Sequence, residues 1–364
     1  MPRRQSTAES QDPLTSLAHD LLAHIVGYLP ERQFDAAART HTTLRTAVQA
    51  RPITQGCKRR IRKLAKFESH MSSRRRGLNL SACLSLREPV RTQQLQLLQK
   101  WISDGRIIQL DLSNNGLTSQ EVNYLALQSD STSLTSINVG ANRLVEEAAL
   151  GIVRAVKPRD QMISLGLSDC NIGPRGAEEI AQYVSGSRVL TNLDLSSNQL
   201  CGIDVYGRGT YDPTGIQALA SALGTSVLTV LDLFGNEIRV EGAKALADAL
   251  KSGKCVLTEC SLLKNDFDVE TAKMLAKIST EKRIMLSGMK QDQTEVNFNY
   301  QDLQPADAIL IASDLQFMAV LTSLNLTNNN IGGYYDDEDN FVSDHSGTQA
   351  LVSALAGNAV LTSL

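Results

Sequence analysis

Aromatic residues are scarce, at 4% of 364 residues with a single Trp. The core must therefore be assembled from Leu, Ile, Val and Ala. Long hydrophobic runs are missing too. No stretch reaches the 18 or more apolar residues that a membrane span needs, so no membrane partner is expected. The first residues, "MPRRQSTAESQDP", offer no apolar core for a secretory leader. Six cysteines (Cys57, Cys83, Cys170, Cys201, Cys255 and Cys260) lie without CxxC spacing. This excludes a zinc ribbon and predicts free thiols in a reducing compartment. Five histidines, at 19, 24, 41, 70 and 345, show no ligand spacing. Phosphate loops of the GxxxxGK[ST] type, HExxH helices and GxSxG elbows are all missing. The chain is expected to be non-catalytic, with no cofactor and no metal. The acidic run Asp336, Asp337, Glu338, Asp339 lacks the alternating carboxylates and central Gly of a calcium loop and is expected to be solvated.

The net charge is only -3, but it is unevenly spread. Residues 57–76, "CKRRIRKLAKFESHMSSRRR", carry nine Lys/Arg and one Glu, so the rest of the chain sums to -11. Ile61, Leu64, Ala65 and Met71 mark one helical face of this segment. A capping helix, a nuclear import signal and a nucleic-acid patch remain open for it.

Most of the chain is a repeat. "IIQLDLSNNGL" (107–117) returns as "LTSINVGANRL" (134–144), "MISLGLSDCNI" (162–172) and "LTNLDLSSNQL" (190–200). Further copies are "LTVLDLFGNEI" (228–238), "LTECSLLKNDF" (257–267), a weaker "QTEVNFNYQDL" (293–303) and "LTSLNLTNNNI" (321–331). A degenerate copy surrounds "LNLSAC" (78–83). Alternating apolar residues predict a short strand with one face buried. The ninth place holds Asn115, Asn142, Cys170, Asn198, Asn236, Asn265 or Asn329. An amide there can satisfy backbone groups where the chain bends out of the strand. Helical halves follow, such as "GPRGAEEIAQYV" and "VEGAKALADAL", in which Gly is expected to break the turn.

This pattern, LxxLxLxx(N/C)xL at steps of 27 to 29 residues, resembles the ribonuclease-inhibitor class of leucine-rich repeats. The resemblance implies an α/β fold: a curved leucine-rich-repeat solenoid over residues 77–364, with parallel strands concave and helices convex. It also implies that Cys170 is structural. Three steps are longer: 190 to 228, 257 to 293 and 321 to 361. The first and third carry insertions, "CGIDVYGRGTYDPTG" (201–215) and "GGYYDDEDNFVSDHSG" (332–347), which hold Tyr206, Tyr211, Tyr334 and Tyr335. These rim loops are either contact surfaces for a protein partner or tolerated insertions. The last residues, "VLTSL", open another repeat, as expected of an incomplete C-terminus or of an edge that pairs with another chain.

Between the inward Leu places, Gln109, Asp111, Ser113, Asn138, Asn192, Asp194, Asp232, Glu259, Asn297 and Asn325 should face the hollow. That face is polar, slightly acidic and poor in Lys/Arg, so nucleic acid is not expected there. Phe234 and Leu263 share one outward place, with Val230 and Tyr300 near in register. They predict an apolar patch for a protein partner, each buried side chain contributing roughly 1.5–3 kcal/mol.

Ahead of the repeats, "LAHDLLAHIVGYLP" (17–30) places Leu17, Leu21, Leu22, Ile25, Val26 and Leu29 on one helical face, and Pro30 ends it. Phe34, Ala37 and Ala38 suggest a second helix, Leu44 and Val48 a third. With Asp20, Tyr28, Thr40 and Arg45, residues 14–50 resemble an F-box, although Ala18 replaces the usual Pro and His41 the common Cys. The resemblance implies a small all-α segment that docks a Skp-type adaptor of a cullin complex through Leu17, Leu21, Ile25, Leu29, Pro30 and Phe34. The repeats would then hold a protein substrate on the concave face or the Tyr-rich loops. Residues 1–13 would be a disordered tail and 51–76 a linker or cap helix. An N-terminal cap without adaptor binding is the bland alternative. The repeats also resemble those of innate-immune nucleotide-binding receptors, which implies a scaffold or sensor fragment, and of Ran GTPase-activating proteins. A cytoplasmic or nuclear location is expected.

Overall fold

The computed structural model describes residues 77–82, 84, 95, 96, 98, 99, 102, 103, 105, 107–127, 133–204, 206–335, 340–356, 360, 361 and 363. The expected F-box helices, the basic segment, Cys57, Cys83 and the acidic run 336–339 lie outside the described residues. The chain divides into two units, Met1–Asp111 with Gln128–Leu134, and Leu112–Leu127 with Thr135–Leu364.

In the first unit, β1 (Gly77–Asn79) pairs in parallel with β2 (Gln109–Asp111). Leu80 N–H donates to Asp111 O at 2.8 Å. Leu84, Leu95, Leu98, Ile102, Ile107 and Leu110 are buried.

The second unit alternates strand and helix. It begins with α1 (Ser119–Leu127), β3 (Ser136–Asn138), α2 (Glu146–Val156) and β4 (Ser164–Gly166). Next come α3 (Pro174–Gly186), β5 (Asn192–Asp194), α4 (Thr214–Leu223), β6 (Val230–Asp232) and α5 (Arg239–Lys251). It continues with β7 (Glu259–Ser261), α6 (Val269–Lys282), β8 (Glu295–Asn297), α7 (Pro305–Leu315) and β9 (Ser323–Asn325). Last are β10 (Gly333–Tyr335), β11 (Phe341–Ser343) and α8 (Ser346–Ala356). Strands β3 to β7 pair in parallel in chain order, with Ile137, Leu165, Leu193, Leu231 and Cys260 aligned. All five are buried. The helices bury one stripe at helical spacing, as Ala177, Ile180, Ala181 and Val184 do in α3. The α/β repeat order expected of leucine-rich repeats is thus present.

The ninth-place residues form a hydrogen-bond ladder. Asn142 Oδ1 accepts from Asn115 N (2.9 Å) and Leu117 N (3.0 Å) of the preceding repeat. Its Nδ2 donates to Leu112 O of that repeat and to Val139 O of its own. Asn198 repeats this with Cys170 N, Ile172 N, Leu167 O and Leu195 O. Asn265 does so with Asn236 N and Ile238 N, and Asn329 with Gln301 N and Leu303 N. One buried amide therefore satisfies backbone groups of two successive turns. Cys170 holds its place as a buried thiol donating to Ser168 O at 3.4 Å. Burial pushes its thiol up to about 12, so it stays neutral and structural. Cys170, Cys201, Cys255 and Cys260 are all free.

Two sequence expectations need correction. The glycines of the helical halves do not break turns. Gly176, Gly215, Gly242 and Gly347 sit inside the first turns of α3, α4, α5 and α8. They are there for close approach. A Cβ on Gly215 would stand 2.7 Å from Leu200 O and 2.8 Å from Pro174 Cα. Second, the long step from 257 to 293 hides a further return of the chain to the sheet, where Met285 bridges Glu259 in parallel. "IMLSGM" carries no ninth-place Asn, so the copy was invisible to a consensus reading.

Candidate interaction surface

Asn138, Asn192, Asp194, Asp232, Glu259 and Asn325 are half-buried on the strand face, and Asn297 is exposed. Their side chains serve the fold first. Oδ1 of the last strand residue accepts the N–H two places on: Asn138 from Gly140, Asp194 from Ser196, Asp232 from Phe234, Asn325 from Thr327. Each such turn ends a strand, which is why Asp and Asn recur there without marking a ligand. Asp194 and Asp232 stand opposite in register. Burial, then the charge of Asp194, pushes the Asp232 carboxyl up to about 6.

The expected apolar patch does not form. Leu263 is fully buried, at 0% exposure, while Phe234 and Val230 are half-buried. The segment around Met285 runs alongside β7. Its Gly288 comes so near that a Cβ there would lie 3.0 Å from Ser261 Oγ. Tyr300 is exposed but belongs to the turn after β8, which pairs with β9 and not with β7. Leu263→Asp would disrupt the core and not report on a partner.

The two insertions do build surface. In the first, Asp204 organises a tight loop: its Oδ1 accepts from Tyr206 N (3.0 Å) and Arg208 N (2.9 Å). Ile203 and Gly209 form an antiparallel bridge across it. Gly209 and Gly202 have φ of 126° and 77°, and a Cβ on Gly209 would lie 2.1 Å from Gly202 O, so glycine is required there. Arg208 pairs with Asp204 at 2.6 Å and lies over the Tyr206 ring at 4.9 Å. Its hydrogen bond to Asp204 holds that carboxyl below the usual range. Tyr206 is thereby presented at 77% exposure.

Tyr211, grouped with it as a contact residue, is instead an anchor. Its hydroxyl donates to Ile238 O at 2.7 Å and accepts from Gly242 N at 3.3 Å. Tyr211→Phe is expected to cost about 1–2 kcal/mol and to speed amide exchange at residues 202–210. Unchanged exchange there would show that the loop does not depend on this anchor.

The second insertion is a hairpin. β10 and β11 pair antiparallel, with Tyr334 opposite Val342 and Tyr335 opposite Phe341. The Tyr335 and Phe341 rings meet edge to face at 5.4 Å. Tyr334, Tyr335 and Phe341 are 39%, 60% and 54% exposed. Phe341 is not among the tyrosines that the sequence singles out in this insertion. The pairing of an aromatic before the acidic run with one after it was the available signal.

No helix among the described residues is long and apolar enough to cross a membrane. A family model described as "Leucine Rich repeat" matches residues 162–181, 226–247 and 318–333. Human "NACHT, LRR and PYD domains-containing protein 13" is 31% identical over 142 residues, covering 34% of this chain and 14% of that protein. Human "NACHT, LRR and PYD domains-containing protein 5" is 28% identical over 145 residues, covering 34% and 12%. The chain thus spans only a small part of the length of these relatives. The solved "Leiomodin-1 Actin-Binding Site 2 (ABS2)" overlaps 47% of this chain and 88% of its own at 16% identity, with a TM-score of 0.35, which supports no reading of fold or function. The chain carries leucine-rich repeats, and it is similar in part to NACHT, LRR and PYD domains-containing proteins.

Proposed function

We propose that the chain is a non-catalytic protein-interaction module, a scaffold or sensor fragment of the nucleotide-binding-receptor type, that engages a protein partner through its two inserted rim loops. The carrying observation is that the described residues of both insertions, placed after the ninth-place Asn of their repeats, form antiparallel pairings that expose aromatics. Tyr206 stands on one, and Tyr334, Tyr335 and Phe341 on the other. Tyr and Phe, with few rotatable bonds, supply contact area at low entropic cost. Tolerated insertions would have no need of an Asp204 turn, a Tyr211 anchor or an aromatic pair.

The cullin-receptor reading rests on residues 14–50, outside the described residues, and the similarity to NACHT and LRR proteins favours the scaffold or sensor reading over it. Pull-down with a Skp-type adaptor separates the two. The proposal expects no capture by the full chain. Capture that is lost in Ile25→Asp/Leu29→Asp would overturn it in favour of the receptor. A cytoplasmic or nuclear location and the Ran-type activity stand as further readings that no residue described above favours.

A further inference from the structure

Between β7 and β8 the repeat architecture changes. Residues 284–286 return to the sheet, with Met285 O accepting from Cys260 N (2.7 Å), and residues 287–294 then hold no helix. The consequence shows one residue before the ladder place. Ser197 N donates to Phe234 O of the next turn (2.7 Å), and Gly235 N to Leu263 O (3.0 Å). Lys264 N donates instead to Asp307 Oδ1 of α7 (2.7 Å). The turn at 263–266 is thus bridged to α7 by a side chain. Beside that bridge lies a pocket of about 280 Å³. Lys264, Asp266 and Phe267 line it from the turn, Gln304 and Ala306 from the start of α7. Gly207, the residue after the displayed Tyr206, also borders it.

Four carboxyl groups line this pocket, from Glu237, Asp266, Asp302 and Asp307. Three have partners. Asp307 accepts from the amides of Lys264 and Gln304. Asp266 faces Arg239 Nε at 3.2 Å. Asp302 accepts from Asn330 Nδ2 at 2.8 Å and pairs with Lys264 Nζ at 3.4 Å. Glu237 is the exception. Its side chain is only 25% exposed, and its ion-pair partner, Arg239 Nη2, stands at 3.9 Å. It accepts no hydrogen bond among the described residues. A carboxylate so enclosed without a donor is poorly compensated. Burial, then the charge of Asp266, push its carboxyl above the usual value despite Arg239 and Lys264.

We propose that this rim pocket receives an arginine side chain of the protein partner, its guanidinium meeting Glu237 and its methylene stem lying against Phe267 and Ala306. The proposal rests on the rim-loop reading above and adds the chemistry of the partner. The pocket adjoins the loop that displays Tyr206, so one partner surface reaches both. Its lining is acidic: four carboxyls meet the cations Lys264 and Arg239. Buried Phe267 and Ala306 supply apolar carbon beside the acids. That combination suits a long apolar stem that ends in a cation. A guanidinium brings five donors and is weakly hydrated, so it loses least on leaving water.

N-acetyl-arginine amide, titrated into the isotopically labelled full chain, tests this without the partner. Saturable amide shifts are expected at Glu237, Lys264, Asp266 and Ala306, in the millimolar range. N-acetyl-citrulline amide has the same shape without the charge and should bind about fivefold more weakly or worse. Glu237→Gln keeps the shape of the pocket and should bring the two ligands level. No saturable shift, shifts confined to other residues, equal binding of both ligands, or an undiminished arginine preference in Glu237→Gln would overturn the proposal. If that variant does not fold, the comparison of the two ligands in the parent decides. Failure here leaves the rim-loop reading standing, because crosslinking from positions 206 and 335 tests that reading without the pocket.

Discussion

Asn198→Ala is expected to destabilise the protein by about 3–5 kcal/mol, a large share of the stability of an ordinary domain. The side chain is 2% exposed and accepts from Cys170 N and Ile172 N. It also donates to Leu167 O, Leu195 O and Ser196 O. A methyl group leaves two amides and several carbonyls in the interior without water to replace the lost partner. Chemical denaturation measures the loss. Gln182→Ala, on the exposed face of α3, should stay within about 0.5 kcal/mol. Asn236→Ala provides a graded comparison. Its Oδ1, unlike that of Asn198, is buried without a hydrogen-bond partner among the described residues. Its Nδ2 still donates to Leu195 O, Leu233 O and Phe234 O. Asn236→Ala should therefore cost less than Asn198→Ala. The reverse order would contradict the ladder as the main polar support of the repeats.

Gly215→Ala is expected to be nearly as damaging, about 3 kcal/mol or more, although Ala is the better helix former. The new Cβ would stand 2.7 Å from Leu200 O and 2.8 Å from both Pro174 Cα and Ala177 Cβ. Two of these atoms are backbone, so no rotamer change relieves the clash, and α4 must move away from α3. The methyl would be felt at the turn that starts the first insertion, since Leu200 precedes Cys201. Thermal melting and exchange across 199–213 are the measurements. A gain in stability, as helix propensity alone predicts, would mean that α3 and α4 are not in the close contact described. Gly186→Ala, where no atom lies within 4 Å of the new Cβ, is the matched control.

Much of this fold was legible because it is periodic. Leu190, Leu193, Leu195, Asn198 and Leu200 repeat their spacing through the chain, and each place has one physical task. Strand, ladder and helix followed from that. What could not be read were departures from the period. The return at Ile284–Leu286 uses neither the Leu places nor the Asn, so it looked like spacer. Leu263, an outward place by the repeat spacing, is fully buried, which turns a predicted contact residue into core. Asp307 and Asp314 sit in "PADAILIASDL", where only their hydrogen bonds to the amides of Lys264, Gln304, Leu286 and Ser287 show why two acids belong in an otherwise apolar helix. The insertions were found as interruptions of the period, but their tyrosines could not be sorted. Tyr206 and Tyr211 lie five residues apart in one loop, and only hydrogen-bond geometry separates the displayed ring from the anchored one.

Site-specific photo-crosslinking tests the central claim most directly. A photoreactive amino acid is placed at 206, at 335 and, as a control, at the exposed Gln182 of α3, in the full chain inside cells. The account predicts that positions 206 and 335 both form adducts with the same protein, and that Tyr334→Ser/Phe341→Ser abolishes capture at 206 without lowering thermal stability. Adducts at 182 alone, or capture at 206 that ignores the second hairpin, would contradict it.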